Sequence, residues 1–109
     1  MSKLTNLASW QALTAHFEQI KDVHMREMFE QEADRFEKFS TRMDDILLDF
    51  SKNRIDDEAF SLLCELAKET GVEQWRDKMF AGDPINISEF RPVLHTALRN
   101  RSNDPVYVD

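Results

Sequence analysis

The stretch Phe39-Ser40-Thr41-Arg42-Met43-Asp44-Asp45-Ile46-Leu47-Leu48-Asp49-Phe50 decides the fold class, because within it the apolar spacing leaves the helical period. Phe39, Thr41 and Met43 alternate with Ser40, Arg42 and Asp44, and the run Ile46-Leu47-Leu48-Asp49-Phe50 follows the turn-forming pair Asp44-Asp45. The pattern predicts one β-hairpin. A two-stranded hairpin alone is marginal in water, so it must lie on helices or join strands from elsewhere.

On both sides of the hairpin the spacing is helical. Upstream, Leu7, Trp10, Leu13, Phe17, Ile20 and His24 lie three or four residues apart and lay one stripe along a first helix, with Asn6 or Thr5 available as N-cap. Met25, Met28, Phe29, Phe36 and Phe39 continue the pattern through one or two short helices, where Asp22 to Arg26 and Asp34 to Lys38 are placed for i,i+4 pairs. Downstream, Ser51-Lys52-Asn53-Arg54 reads as a polar exit loop. A helix is expected from about Asp56 to Thr70, with the stripe Phe60, Leu63, Leu66 and Ala67, acids at its positive end and Gly71 to close it. Val72, Trp75, Met79 and Phe80 predict one more short helix, ended by Gly82-Asp83-Pro84. Pro92 lacks an amide proton and biases Arg91 away from the α region, so the last helix begins near Pro92 or bends there. Its stripe is Leu94, Ala97 and Leu98, with Arg99 and Arg101 in its last turn. Val106-Tyr107-Val108 reads as the start of a strand with no visible partner, so the chain is expected to be a piece of something longer. The class that results is mainly α with a small β-hairpin.

Composition agrees with long elements and few turns. A chain of 109 residues has room for one domain at most. Two Gly and three Pro are well under average usage, which argues against a turn-dense sandwich or barrel. A hydrophobic fraction of 41% with eight Phe and two Trp sets the chain apart from disordered sequences. The net charge of -7 opposes binding to a phosphate backbone, so no nucleic-acid partner is expected. No apolar run approaches the roughly 18 residues of a membrane helix, and Met1 to Trp10 lacks the apolar core of a signal peptide, so no membrane partner is expected either. The single cysteine, Cys64, cannot close an internal disulfide and fits a reducing compartment.

Several residue groups have the right chemistry for a site and an ordinary structural explanation beside it. His16, His24 and His95 are the three histidines, and Glu27 lies at i+3 from His24, but neither a His-Glu-x-x-His pattern nor paired cysteines accompany them. His24 is expected to be a hydrogen-bonded core histidine. Cys64 in mid-helix is expected to be a small, inert, semi-buried thiol rather than a nucleophile. Asp44-Asp45 and Asp56-Asp57 sit where a turn and a helix N-terminus favour Asp. Arg91 to Arg101 holds three Arg and one His with no acid, and with Asn100, Ser102 and Asn103 it offers many donors to an anion. The preferred reading of that segment is a hydrogen-bonded junction that ties the end of the last helix to the next strand. Gly-rich phosphate loops and the nucleophile elbow are both missing. No catalytic, substrate-binding, cofactor-binding or metal residue is assigned.

Three ordered blocks carry a resemblance to a known family. The first is His24-Met25-Arg26 to Phe29, followed by Asp34-Arg35-Phe36-Glu37-Lys38-Phe39-Ser40. The second is Asp45 to Asp49 leading into Ser51-Lys52-Asn53-Arg54-Ile55. The third and most specific runs through Met79-Phe80, Gly82, Ile85-Asn86, Glu89 and Arg91 into Val93-Leu94-His95-Thr96-Ala97-Leu98-Arg99-Asn100-Arg101-Ser102-Asn103 and a closing Val-x-Val-Asp. In order and spacing these resemble the N-terminal region of the glucose-6-phosphate isomerase (phosphoglucose isomerase) family. Phe50, Asp83, Pro84 and Pro92 depart from its usual residues.

The resemblance implies a much longer parent with two α/β/α sandwich domains of the sugar-isomerase kind, in which residues 1–109 form a single, mostly helical N-terminal segment of the large domain. It implies a cytoplasmic homodimer without metal or organic cofactor, interconverting glucose 6-phosphate and fructose 6-phosphate through an enediol. The partners implied are the remainder of the parent chain, a second subunit and the sugar phosphate. The family's base, its ring-opening residues and its phosphate loops all match positions beyond Asp109, so the segment alone is expected to be inactive. The rival reading from the residues is an autonomous helical interaction module using an apolar face or the Arg91 to Arg101 patch.

Overall fold

A computed structural model describes residues 3–107. The chain forms two compact units divided between Leu66 and Ala67. The first contains a 3-10 turn at Leu4–Asn6, the helices α1 (Ala8–Ile20), α2 (Met25–Gln31) and α3 (Arg35–Lys38), the strands β1 (Ser40–Met43) and β2 (Ile46–Asp49), and most of α4 (Asp57–Glu69). The second contains the end of α4, then α5 (Val72–Ala81) and α6 (His95–Leu98). The described residues are mainly helical with one hairpin, as the spacing predicts.

The first helix is shorter than its stripe. It begins after Leu7, which offers no side-chain cap, because residues 4–6 are already committed to the 3-10 turn and neither Thr5 nor Asn6 is free to serve. It ends where the Lys21 amide bonds the Phe17 carbonyl. His24 therefore lies outside α1, and it is exposed rather than a core histidine. With extended backbone, it turns its Nδ1 to accept the Arg26 amide at 3.1 Å and so caps α2. The same break removes the expected Asp22 to Arg26 helical pair. Lys38, expected to meet Asp34, turns to Glu32 and Asp57 instead.

The hairpin forms where the sequence places it. Ser40 pairs with Asp49, Thr41 with Leu48, Arg42 with Leu47 and Met43 with Ile46, and Asp44 takes the left-handed conformation (φ 50°) in the connecting turn. This register puts Thr41, Met43, Ile46 and Leu48 on one face and Ser40, Arg42, Leu47 and Asp49 on the other. The apolar face is open to solvent, with Met43 70%, Ile46 63% and Leu48 57% exposed. Aromatic contacts fasten the base of the hairpin. There Phe39 meets Phe50 edge-on at 6.1 Å between ring centroids, Phe60 meets Phe39 at 6.3 Å, and Phe50 stacks on Phe60 at 5.9 Å.

α4 has the expected span, and its Asp56 side chain accepts the Ala59 amide at 2.8 Å as a cap. Of its predicted stripe, Phe60 and Leu63 remain exposed, and the residue it buries is Ala59. In the second unit, Gly82 ends α5 in the left-handed conformation (φ 81°), a geometry that only glycine adopts without strain.

The last helix is a single turn. Asn86 accepts from the Glu89 amide and the Ser88 hydroxyl, its own amide bonds the Arg91 carbonyl, and this loop consumes the chain up to Pro92. α6 starts only at His95. It stops at Leu98 because Asn100 diverts the chain, its Oδ1 accepting the Ser102 amide and hydroxyl. Arg101 consequently lies beyond the helix rather than in its last turn, and Leu98 is 85% exposed. Val106 and Tyr107 are exposed and form no strand, and Val108 lies outside the described residues.

Candidate functional site

The most highly ordered chemistry in the chain surrounds Arg35, on the turn of helix that leads into the hairpin. Its side chain is 1% exposed. Nε donates to the Ser51 carbonyl at 2.8 Å, and Nη2 donates to the carbonyls of Asn53 at 2.9 Å and Ile55 at 2.6 Å. Nη1 reaches the Glu32 carboxylate at 3.3 Å. The guanidinium plane lies over the Phe39 ring at 4.7 Å and near Phe29 at 5.5 Å. The planar fork of donors is what a lysine could not supply to three carbonyls at once.

The segment Ser51 to Arg54, expected as a plain exit loop, is thus a docked loop. Ser51 is buried, its amide and hydroxyl both bond the Asp49 carboxylate, and Arg54 reaches back to the carbonyls of Lys21 and Val23. The Ser51 hydroxyl and amide hold the Asp49 carboxyl below its ordinary value.

A second tie joins α1 to the start of α4. His16 is 5% exposed, and its Nε2 lies 2.8 Å from the Asp56 carboxylate. Its Nδ1 lies 3.5 Å from Glu58 and makes no hydrogen bond. Burial pushes the Asp56 carboxyl up, while the Ala59 amide and the His16 ring outweigh it and leave the group below its ordinary value. Asp56 therefore does more than favour a helix N-terminus. The pair Asp44-Asp45 forms the hairpin turn, with Asp44 in the left-handed conformation.

The first unit carries several hollows, and two of them differ sharply in lining. One, of about 500 Å³, is lined by Ile20, Val23 and Met28 together with Glu32, Asp56 and Glu58. The other, of about 320 Å³, is an apolar groove along α1 and α4, lined by Trp10, Leu13, Thr14, Phe17, Leu63 and Leu66. Cys64 is exposed beside that groove, not semi-buried, because the helix turns it away from the side that Ala59 buries.

The basic segment in the second unit resolves into local structure. Arg91 pairs with Glu89 at 2.5 Å, and Arg99 donates to the His95 carbonyl at 3.1 Å. Asn100 and Ser102 bond one another, and the Asp104 amide bonds the Ser102 hydroxyl. The expected junction between the helix end and a following strand does not form, because no strand follows among the described residues; these side chains tie into local turns instead. Each histidine has a local role: His16 is buried against α4, His24 caps α2 and His95 opens α6. Among the described residues, no three His, Cys, Asp or Glu side chains gather as metal ligands would. No helix among them is long and apolar enough to cross a membrane.

Arg35 was not among the candidate residues from sequence, and His16 stood there only as one of three histidines weighed as metal ligands, although signals for the role of each exist. His16 lies at i+3 from Leu13 and i-4 from Ile20, at the edge of the apolar stripe. Arg35 stands four residues before the core ring of Phe39, one helical turn away. What their surroundings do chemically is hold loops and helices in place while leaving apolar surface open.

Comparison with known proteins agrees with this picture. The sequence profile of the family "Phosphoglucose isomerase" matches residues 49–109. Over all 109 residues the chain is 49% identical to the glucose-6-phosphate isomerase of Pseudoalteromonas translucida, 50% identical to glucose-6-phosphate isomerase 1 of Neisseria gonorrhoeae and 49% identical to the glucose-6-phosphate isomerase of Methylococcus capsulatus. All of this chain is covered in each case, against 20% of each relative, so it spans about a fifth of their length. With more than half of its residues matched to that profile and the rest continuing the same similarity, the chain belongs to the phosphoglucose isomerase family.

Proposed function

We propose that the chain is the N-terminal part of a glucose-6-phosphate isomerase, the aldose-ketose isomerase that interconverts glucose 6-phosphate and fructose 6-phosphate, and that it completes and buttresses the large domain of that enzyme. The observation that carries this reading is identity of 49–50%, sustained over every residue of the chain, to enzymes of that name. The open apolar face of the hairpin and the groove along α1 and α4 support a buttressing role, since an isolated soluble domain rarely leaves such surface bare. The homodimer and the cytoplasmic setting belong to the same proposal.

By this reading the segment does not catalyse alone. Moving a proton between C1 and C2 requires a base within about 3 Å of the carbon-bound hydrogen and a fixed positive partner in a closed pocket. Here the buried cation, Arg35, is saturated by backbone carbonyls, and the buried histidine is held by Asp56. The reacting groups come from the rest of the enzyme. The test is an assay of fructose 6-phosphate isomerisation coupled to oxidation of the glucose 6-phosphate formed. The purified 109-residue chain is expected to be inactive, and the same chain joined to the downstream part of the enzyme is expected to be active. Turnover by the short chain, abolished by changing His95 or Arg99, would overturn the reading.

A further inference from the structure

The groove along α1 and α4 differs in lining from the larger hollow of the same unit, which carries Glu32, Arg35, Asp56, Asp57 and Glu58. None of the groove's lining side chains is charged, the Thr14 hydroxyl already donates to the Trp10 carbonyl at 2.9 Å, and the Trp10 indole N–H is the other polar group of the lining. The lining is therefore almost wholly apolar. Phe17 and Leu63 stand exposed on opposite walls. Trp10, Leu13 and Phe17 occupy two successive turns, a span of roughly 10 Å at 1.5 Å per residue. That length and spacing match the i, i+3 or i+4, i+7 anchors by which an amphipathic helix lies in an apolar groove.

We propose that this groove seats the apolar face of a helix from the downstream part of the same polypeptide. The inference rests on the functional reading above and names the surface through which the segment is held. Two observations choose this occupant over a second copy of the chain. Similarity covers only 20% of each relative, so about four-fifths of such a protein lies outside these residues and is tethered to them at high effective concentration. A net charge of -7 on each copy makes two of these segments repel.

The test uses a reporter thiol. In a Cys64→Ser background, Phe17→Cys and, separately, Leu63→Cys place a thiol on either wall of the groove, and Gln19→Cys places one on the far side of α1. The rate of reaction with Ellman's reagent is measured in the 109-residue chain and in the isomerase that carries it, with isomerase activity measured alongside. Both groove thiols are expected to react freely in the short chain and at least ~100-fold more slowly in the active enzyme, as buried sites do when they react only through local opening. Gln19→Cys is expected to react freely in both. Free reaction at both groove positions in an active enzyme would overturn the inference and leave the functional reading intact. Protection at position 19 as well would overturn the assignment to the groove. Protection that grows with concentration of the short chain would assign the groove to a second copy and overturn the inference. Absence of isomerase activity in the long protein carrying native Cys64 would overturn the functional reading itself. The two groove variants serve as controls for one another, and a variant whose helical circular dichroism is lost is replaced by its partner.

Discussion

Replacing Arg35 with methionine keeps most of the side-chain volume and removes every donor, so it isolates what the guanidinium does. Three carbonyls lose their partner, those of Ser51, Asn53 and Ile55. Ser51 is buried and its oxygen has no route to water, so its loss costs about 1–3 kcal/mol. Asn53 is exposed and Ile55 half-buried, and water replaces part of what those oxygens lose, leaving about 0.5–1 kcal/mol each. Removing the cation over Phe39 subtracts about 1 kcal/mol more. The sum is about 3–6 kcal/mol, a large fraction of the roughly 5–15 kcal/mol by which domains are stable. Urea unfolding followed by circular dichroism at 222 nm measures it, and proteolytic nicking between residues 51 and 55 reports whether the loop is released. Arg35→Lys is expected to recover less than half of the loss, since an ammonium cannot fork to three fixed carbonyls. If Arg35→Met unfolds within 1 kcal/mol of the parent chain and its loop stays protected, the carbonyl cage is not what holds the hairpin to the helices.

Two further outcomes follow from Asp56. Asp56→Ala removes both the cap of α4 and the partner of His16, and is expected to cost about 2–3 kcal/mol, against about 1 kcal/mol for an ordinary lost cap; equal losses for Asp56→Ala and His16→Ala, with no excess over a simple cap, would show that the two residues do not act together. The pH dependence has a definite sign, because Asp56 and Asp49 titrate in the folded chain below the unfolded carboxylate value of about 3.9; the stability they confer is present above that value and is lost as pH falls through their lower folded values. Urea midpoints measured from pH 5 down to pH 2.5 are therefore expected to fall, and to fall less in Asp56→Asn. An equally steep fall in that variant would remove Asp56 from the account.

Much of this fold is legible in the residues taken in order, and the legible part is the local part. The switch of spacing at Phe39 placed the hairpin, Asp44 and Asp45 its turn, and Gly82 the end of α5, because turn and cap preferences act within a few residues. The end of α1 was not legible. His24 continues the apolar spacing of α1, yet its ring nitrogen captures the Arg26 amide and starts a new helix. The last helix shrank for a similar reason, since the polar contacts of Asn86 and Asn100 compete with helical bonds on either side of it.

Membership in the isomerase family was likewise readable from ordered residue blocks, because identity needs no coordinates. What composition and spacing could not supply is which polar groups are buried. Arg35 and His16 look like ordinary helix residues until Ser51, Asn53 and Ile55 converge on one and Asp56 on the other, from 16 to 40 positions away along the chain. The sequence by itself determined the helices, the hairpin and the kinship, since these depend on near-neighbour preferences and on similarity. Only the tertiary structure decided where a charge is caged and which apolar faces stay open, since desolvation depends on atoms that distant segments bring together.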